Sequence, residues 1–286
     1  MFNPTTVLAD AFGEHLAEVY MRVFGGREAR YAGIIAESAR LMIERLAGSD
    51  ALYHTAEHTA LVTLVAQDIM RGKRMSADVT PSDWVHMIFA ALAHDCGYLR
   101  GVCLADRPGH YVIDTAGNTI SPPLGASDAF LAPYHVERSK IAVRERLGTH
   151  DFLDAERIAR AIELTRFPVP DDGDHAETDT EAGLVRAADL IGQLGDPLYL
   201  RKLNALYQEF AEIGVNEKLG YRSPADVADL YPKFYWSKVE PYIRDGIRYL
   251  DRTMEGRQWV AHLHSHVFAV EHQQRTMGPE PRRGLR

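Results

Sequence analysis

Apolar residues recur every three or four positions along almost all of this 286-residue chain, a spacing that admits helices and little else. Leu8, Phe12, Leu16, Val19/Tyr20 and Val23 form a first stripe, closed by Gly25-Gly26. Tyr31, Ile34/Ile35, Ala39, Met42 and Leu46 form a second, closed by Gly48. A third runs through Leu61, Leu64/Val65 and Ile69, with Gly72 as its expected stop. Thr80-Pro81-Ser82-Asp83 offers an N-cap hydroxyl, a proline at the first helical position and an acid at the third, so a helix is predicted from there to about His94. Later helices are predicted at about 134–147, 154–166, 180–194 and 197–213. Two or three more fall between Pro224 and Gln274, with Pro232 and Pro241 setting boundaries or kinks.

Two stretches break the pattern. Residues 101–127 are rich in Gly, Pro and polar side chains, and 111–120 within them reads as a short β-hairpin around Gly117. A stretch this long between helices is expected to serve as a lid or a substrate-selecting loop. Residues 167–179 form an acidic loop, and 276–286 read as a flexible tail. With no internal repeat and no linker, the expectation is a single all-α domain over 1–286. It comprises N-terminal helices 5–48, a core of about 50–200 and a C-terminal helical extension over 197–275.

Apolar residues at 46% and charged residues at 25% exclude a disordered chain. The net charge of −8 argues against a nucleic-acid polymer or an anionic membrane as partner. The longest apolar run, 87–93, is too short to span a bilayer, and the opening residues do not read as a signal peptide. Two cysteines, Cys96 and Cys103, make no disulfide framework, so the expected setting is the cytoplasm.

The unusual feature is where ionisable residues fall. His94-Asp95 follows the apolar run Ile88-Phe89-Ala90-Ala91-Leu92-Ala93, and Asp189 interrupts Leu184-Val185-Arg186-Ala187-Ala188-Asp189-Leu190-Ile191. His54 and His58 stand four apart at a helix start. Burying unpaired carboxylate and imidazole is costly, so a shared cation is expected. Imidazole and carboxylate ligands suit Zn, Mn, Fe, Co or Mg, which acidify a bound water; an aspartate such as Asp95 can bridge two ions.

The order His58…His94-Asp95…Asp189 resembles the H…HD…D signature of the HD superfamily of metal-dependent phosphohydrolases. Tyr53-His54-(x)3-His58 resembles the Tyr-His-Asn-x-x-His element of its cyclic-nucleotide phosphodiesterase branch, as do the 36-residue step to His94 and Ala188-Asp189-Leu190 with Pro197 beyond. The likeness covers about half the chain, 52–197. It implies a phosphodiesterase-like helical bundle holding two divalent ions, Mn, Mg, Zn or Fe. His58, His94, Asp95 and Asp189 would hold the first ion and Asp95 would bridge to the second. A hydroxide between the ions would attack phosphorus, with His54 as the general acid and Glu57 either orienting it or capping the helix. Thr55 replaces the expected asparagine, and His94-Asp95-Cys96-Gly97-Tyr98-Leu99 lacks the His-Pro-Gly of the animal enzymes. No purine-gripping glutamine is placed, so cyclic AMP or GMP is not the expected substrate. The paired histidines and Gly-Tyr-Pro of cyclic di-GMP enzymes are missing too.

His135, at a helix start, is a candidate ligand of the second ion, and His110, at the hairpin edge, is expected to face solvent or substrate. His150 and His175 lie in polar loop sequence, and His262, His264 and His266 read as surface. Arg138, Lys140, Arg186 and Gln193 are candidates to hold a phosphate; Arg186, Asp189 and Gln193 share a helix face. The expected function is hydrolysis of a small phosphoric ester, a nucleotide among the candidates. The alternatives are a di-iron oxygenase that adds His110 and His135 to the ligand set, and a non-catalytic sensor on the same scaffold. The aromatic-rich helices beyond Pro197 are expected to form an outer layer and offer a candidate homodimer face.

Overall fold

Several helices begin where the sequence supplies an acceptor for their first free N–H groups. In the computed structural model, which describes residues 2–272, Asn3 caps α1 (Pro4–Phe24), and α2 spans Arg30–Leu46. Thr55 precedes α3 (Ala56–Arg74). Thr80 and Asp83 form the expected capping box of α4 (Pro81–Ala93), with Pro81 in its first turn. The hairpin pairs β1 (Tyr111–Val112) with β2 (Thr119–Ile120), Tyr111 opposite Ile120. Then come α5 (His135–Leu147), α6 (Ala155–Glu163) capped by Asp154, and α7 (Glu181–Leu194) capped by Thr180. The C-terminal part is α8 (Tyr199–Glu212), α9 (Val215–Leu219), α10 (Pro224–Phe234), α11 (Glu240–Leu250) and α12 (Met254–Glu271). The fold is thus all-α with one small hairpin. The predicted tail, 276–286, lies outside the described residues.

Helices α3, α4 and α7 form the centre. The α1–α2 pair covers one side, α5 and α6 another, and α11 and α12 pack on α3 and α7. One continuous apolar core runs through these elements from Ala9 to Val267; Tyr111, Phe130 and Leu131 make a small satellite under the hairpin. Every side chain of α4 from Trp84 to Ala93 is buried, so this helix is apolar all round and ends inside the protein. That is what carries His94 and Asp95 to the interior.

Several boundaries differ from those the sequence predicts. Gly72 does not stop α3, which continues to Arg74. A Cβ on Gly72 would fall 1.9 Å from the Tyr249 carbonyl oxygen, so the glycine is there to let α3 and α11 cross closely. Alanine is the better helix former by about 1 kcal/mol, but the clash decides the sign. Gly72→Ala is therefore expected to lower stability by roughly 1–3 kcal/mol, read as a shift of the urea midpoint. Helix α6 ends at Glu163 rather than 166, and α9 has no counterpart among the predicted helices. Pro232 lies inside α10, just before a π-turn at Tyr235–Val239, while Pro241 sits in the first turn of α11.

The stretch 101–127 is tied to itself and to the body of the protein at several points. Asp106 accepts from the Gly101 and Val112 amides, and Arg100 pairs with Asp128 at 2.8 Å and donates to Ala126 O. Within the hairpin 111–120, Tyr111 and Val112 are buried and the turn 115–119 is exposed. Among the described residues no helix is long and apolar enough to cross a membrane.

Candidate metal centre

Four elements of the core bring their ionisable residues to one point. His58 comes from the first turn of α3, His94 and Asp95 from the end of α4, Asp189 from the middle of α7 and His135 from the start of α5. His58 Nε2 lies 3.3 Å from Asp95 Oδ2 and 3.4 Å from Asp189 Oδ1. His94 Nε2 lies 3.1 Å and 3.5 Å from the same two oxygens. The other oxygen of Asp95, Oδ1, is 3.7 Å from His135 Nε2. His58, His94 and Asp95 are buried, and Asp189 is partly exposed.

The orientation of each ring is set from behind. His94 Nδ1–H donates to Ala91 O at 2.8 Å and His135 Nδ1–H to Ala132 O at 2.6 Å, which turns both Nε2 atoms toward the carboxylates. Yet His94 Nε2 and Asp95 Oδ2 are buried without a hydrogen-bond partner. A donor set of imidazole and carboxylate with orphaned atoms facing one another fits a cation. The ligand atoms of His58, His94 and Asp95 all lie within 4.8 Å of one another, and this group could hold a metal ion.

Charges follow the same logic. Burial alone would raise the Asp95 carboxyl, but the His94 charge, with the His58 and His94 rings facing Oδ2, holds it well below the usual range. Against the same burial, His94 and His58 bring Asp189 down to about 2. Burial works against a charged His94, and the two carboxylates raise it well above the ordinary imidazole value. His135 is lowered, because desolvation outweighs the pull of Asp95.

His54 stands just before α3 rather than on it, so it does not share a helix face with His58. Its Nδ1 lies 2.5 Å from Glu209 Oε2, while Glu209 Oε1 accepts from the backbone N–H of Tyr53 at 2.7 Å and of His54 at 3.2 Å. Desolvation would lower this imidazole, but the Glu209 charge and hydrogen bond, joined by Asp95 and Asp189, raise it to about 9. His54 is therefore an imidazolium at neutral pH, with Nε2–H left to donate. Glu57, expected to orient it or cap the helix, instead pairs with Lys202 at 2.9 Å on the surface. Sequence reasoning did not find Glu209. Its signal is that an acid continues the buried stripe Tyr199, Leu203, Leu206 of α8.

The candidates for holding a phosphate are engaged elsewhere. Arg138 is fully buried: Nε donates to Gly97 O at 2.7 Å, Nη2 to Leu99 O at 2.9 Å, and Nη1 to Val112 O, while both amino groups meet Asp106. Arg186 donates to His175 O and Glu177 O and lies over the Tyr242 ring. Lys140 pairs with Glu137 and Glu163 at 2.7 and 2.6 Å, and Gln193 is half-buried beside Tyr199. A cation on an apolar stripe can serve a site or neutralise inward-facing carbonyls, and in Arg138 and Arg186 it does the second. His110 is exposed and meets Ser121 Oγ at 3.1 Å; among the described residues it makes no ion pair with Asp95 or Asp189, so the four-histidine oxygenase set is not assembled. His175, expected in polar loop, is buried against Asp172 and Glu163. His266 is half-buried, its Nδ1 2.9 Å from Leu194 O, while His264 is exposed.

A search of curated proteins returns no match, and a search of solved structures returns none either. A family model described as Npun_R2479-like matches residues 2–273, nearly the whole chain and every residue of the cluster. The chain belongs to the Npun_R2479-like family.

Proposed function

We propose that this protein is a metal-dependent hydrolase of small phosphoric esters. One observation carries the reading: His54, held at Nδ1 by Glu209, stands beside a buried set of imidazoles and carboxylates whose facing atoms lack partners. The resemblance of these residues to the HD phosphohydrolase signature supports it. His58, His94, Asp95 and Asp189 would hold one divalent ion, and Asp95 Oδ1 with His135 a second. Bound there, Mn, Mg, Zn or Fe would supply Lewis-acid stabilisation of the phosphoryl oxygens and a water acidic enough to attack at neutral pH.

The chain's own part is proton delivery and positioning. His54 gives its Nε2 proton to the leaving oxygen as the ester bond breaks, and Glu209 keeps the ring charged and aimed. With Arg138, Lys140 and Arg186 bound elsewhere, His54 is, among the described residues, the cation we assign to the substrate at the cluster. Two buried free thiols, Cys96 and Cys103, suit a reducing compartment, and the proposed setting is the cytoplasm.

The test is metal analysis of untagged protein with hydrolysis of bis-p-nitrophenyl phosphate in added Mn²⁺, Mg²⁺, Zn²⁺ or Fe²⁺. Bound metal with metal-dependent hydrolysis is the expected result. Iron with oxygen uptake and no hydrolysis would replace it with the oxygenase, and no metal at all would leave a sensor. Glu209→Gln sharpens the test. It is expected to keep the metal and lose roughly a hundredfold in kcat, because the ring loses the charge that holds its proton.

A further inference from the structure

Tyr98 ends a 3₁₀ turn, Cys96–Tyr98, directly after the His94-Asp95 pair. Its ring lies between two imidazoles: His54 at 4.6 Å between centroids with 12° between planes, and His135 at 4.7 Å with 29°. The three rings form one stack. Each imidazole is otherwise held at Nδ1 by one acceptor, Glu209 for His54 and Ala132 O for His135. A single hydrogen bond leaves a ring free to swing about that bond, and a neighbour against its face removes the swing.

Tyr98 itself is held on both sides. A Cβ on Gly97 would fall 1.9 Å from the His135 carbonyl oxygen, so this turn and the start of α5 are in direct backbone contact. Ser139 Oγ accepts from Gly97 N at 2.8 Å and donates to His94 O at 2.7 Å, and Arg138 Nε takes Gly97 O. The phenol is buried, and that burial, with the Asp95, Glu209 and Asp189 carboxylates nearby, raises it well above its ordinary value, so the ring stays neutral.

We propose that Tyr98 is a positioning residue that clamps His54 and His135 in one stack and so fixes the proton donor relative to the second-ion ligand. The proposal rests on the roles given to those two histidines above. It acts through ring faces, which phenylalanine keeps and leucine does not.

The experiment uses full-length Tyr98→Leu and Tyr98→Phe, with three readouts: calorimetric titration with Mn²⁺, imidazole ring-proton NMR of the metal-free protein, and kcat with KM on bis-p-nitrophenyl phosphate. For Tyr98→Leu the first Mn²⁺ is expected to bind as in wild type and the second at least tenfold more weakly. Its kcat falls at least tenfold at unchanged KM, and the upfield ring-current shifts of His54 and His135 are lost. Tyr98→Phe restores all three. Wild-type affinity and rate in Tyr98→Leu would overturn the clamp, as would loss of both ions together. Failure of Tyr98→Phe to restore would overturn it too, giving the role to the hydroxyl. If wild-type protein binds no second ion or does not hydrolyse, the proposed function falls and the NMR decides the clamp alone. It then stands if both rings shift in Tyr98→Leu and not in Tyr98→Phe, and is overturned otherwise.

Discussion

Asp95→Asn is expected to leave less than a tenth of the wild-type metal on the protein and to cut hydrolysis roughly a thousandfold, about 4 kcal/mol of transition-state stabilisation. Asp95 is the residue that His58, His94 and His135 all face. Oδ2 faces His58 and His94 at 3.3 and 3.1 Å, and Oδ1 faces His135 at 3.7 Å. Asparagine keeps the shape and removes the anion, so the loss reports charge rather than volume. Metal content by mass spectrometry and a thermal melt on the same sample separate a lost ligand from a lost fold. An Asp95→Asn protein that still carries wild-type metal would mean the ion sits elsewhere.

Arg138→Met should have the largest effect on stability. The guanidinium is enclosed by Asp106 and by the carbonyls of Gly97, Leu99 and Val112, with no exposure to water. Methionine fills much of the volume and leaves a buried carboxylate without its counter-charge and three carbonyls without this donor. Breaking a buried pair in this way costs about 4 kcal/mol, or a fall in Tm of roughly 10 °C. Adding Asp106→Asn removes the stranded charge and should return roughly 1–2 kcal/mol. A phosphate-holding arginine would behave oppositely, with raised KM and unchanged melting. Unchanged stability in Arg138→Met would therefore restore the reading the sequence favours.

The contrast between Arg138 and Asp95 shows what was legible before the structure. Apolar spacing is a local property, and it located the helical stripes, the Thr80-Pro81 start of α4 and the hairpin turn at Gly117. His94-Asp95 and Asp189 were legible because they fall in apolar runs, and His58 because it completes the order of the signature the sequence resembles. Glu209 was not. It meets His54 across 155 residues of sequence, and no spacing rule reaches that far. Arg138 and Arg186 were misjudged because a sequence shows that a cation lies on a buried face but not that carbonyl oxygens surround it. Gly72 failed similarly, since a glycine that ends a helix and one that admits a neighbouring backbone are the same letter.

The bond between Glu209 and His54 bears on how this fold can be divided and inherited. All four residues proposed to hold the first ion lie before Pro197, while the acid paired with His54 lies in α8 beyond it. A descendant that lost or exchanged its C-terminal helices would keep the full ligand set and forfeit the proton donor. On the proposed function, the working unit extends at least to α8, and a recombination point at Pro197 would part the candidate ligands from the residue that holds His54.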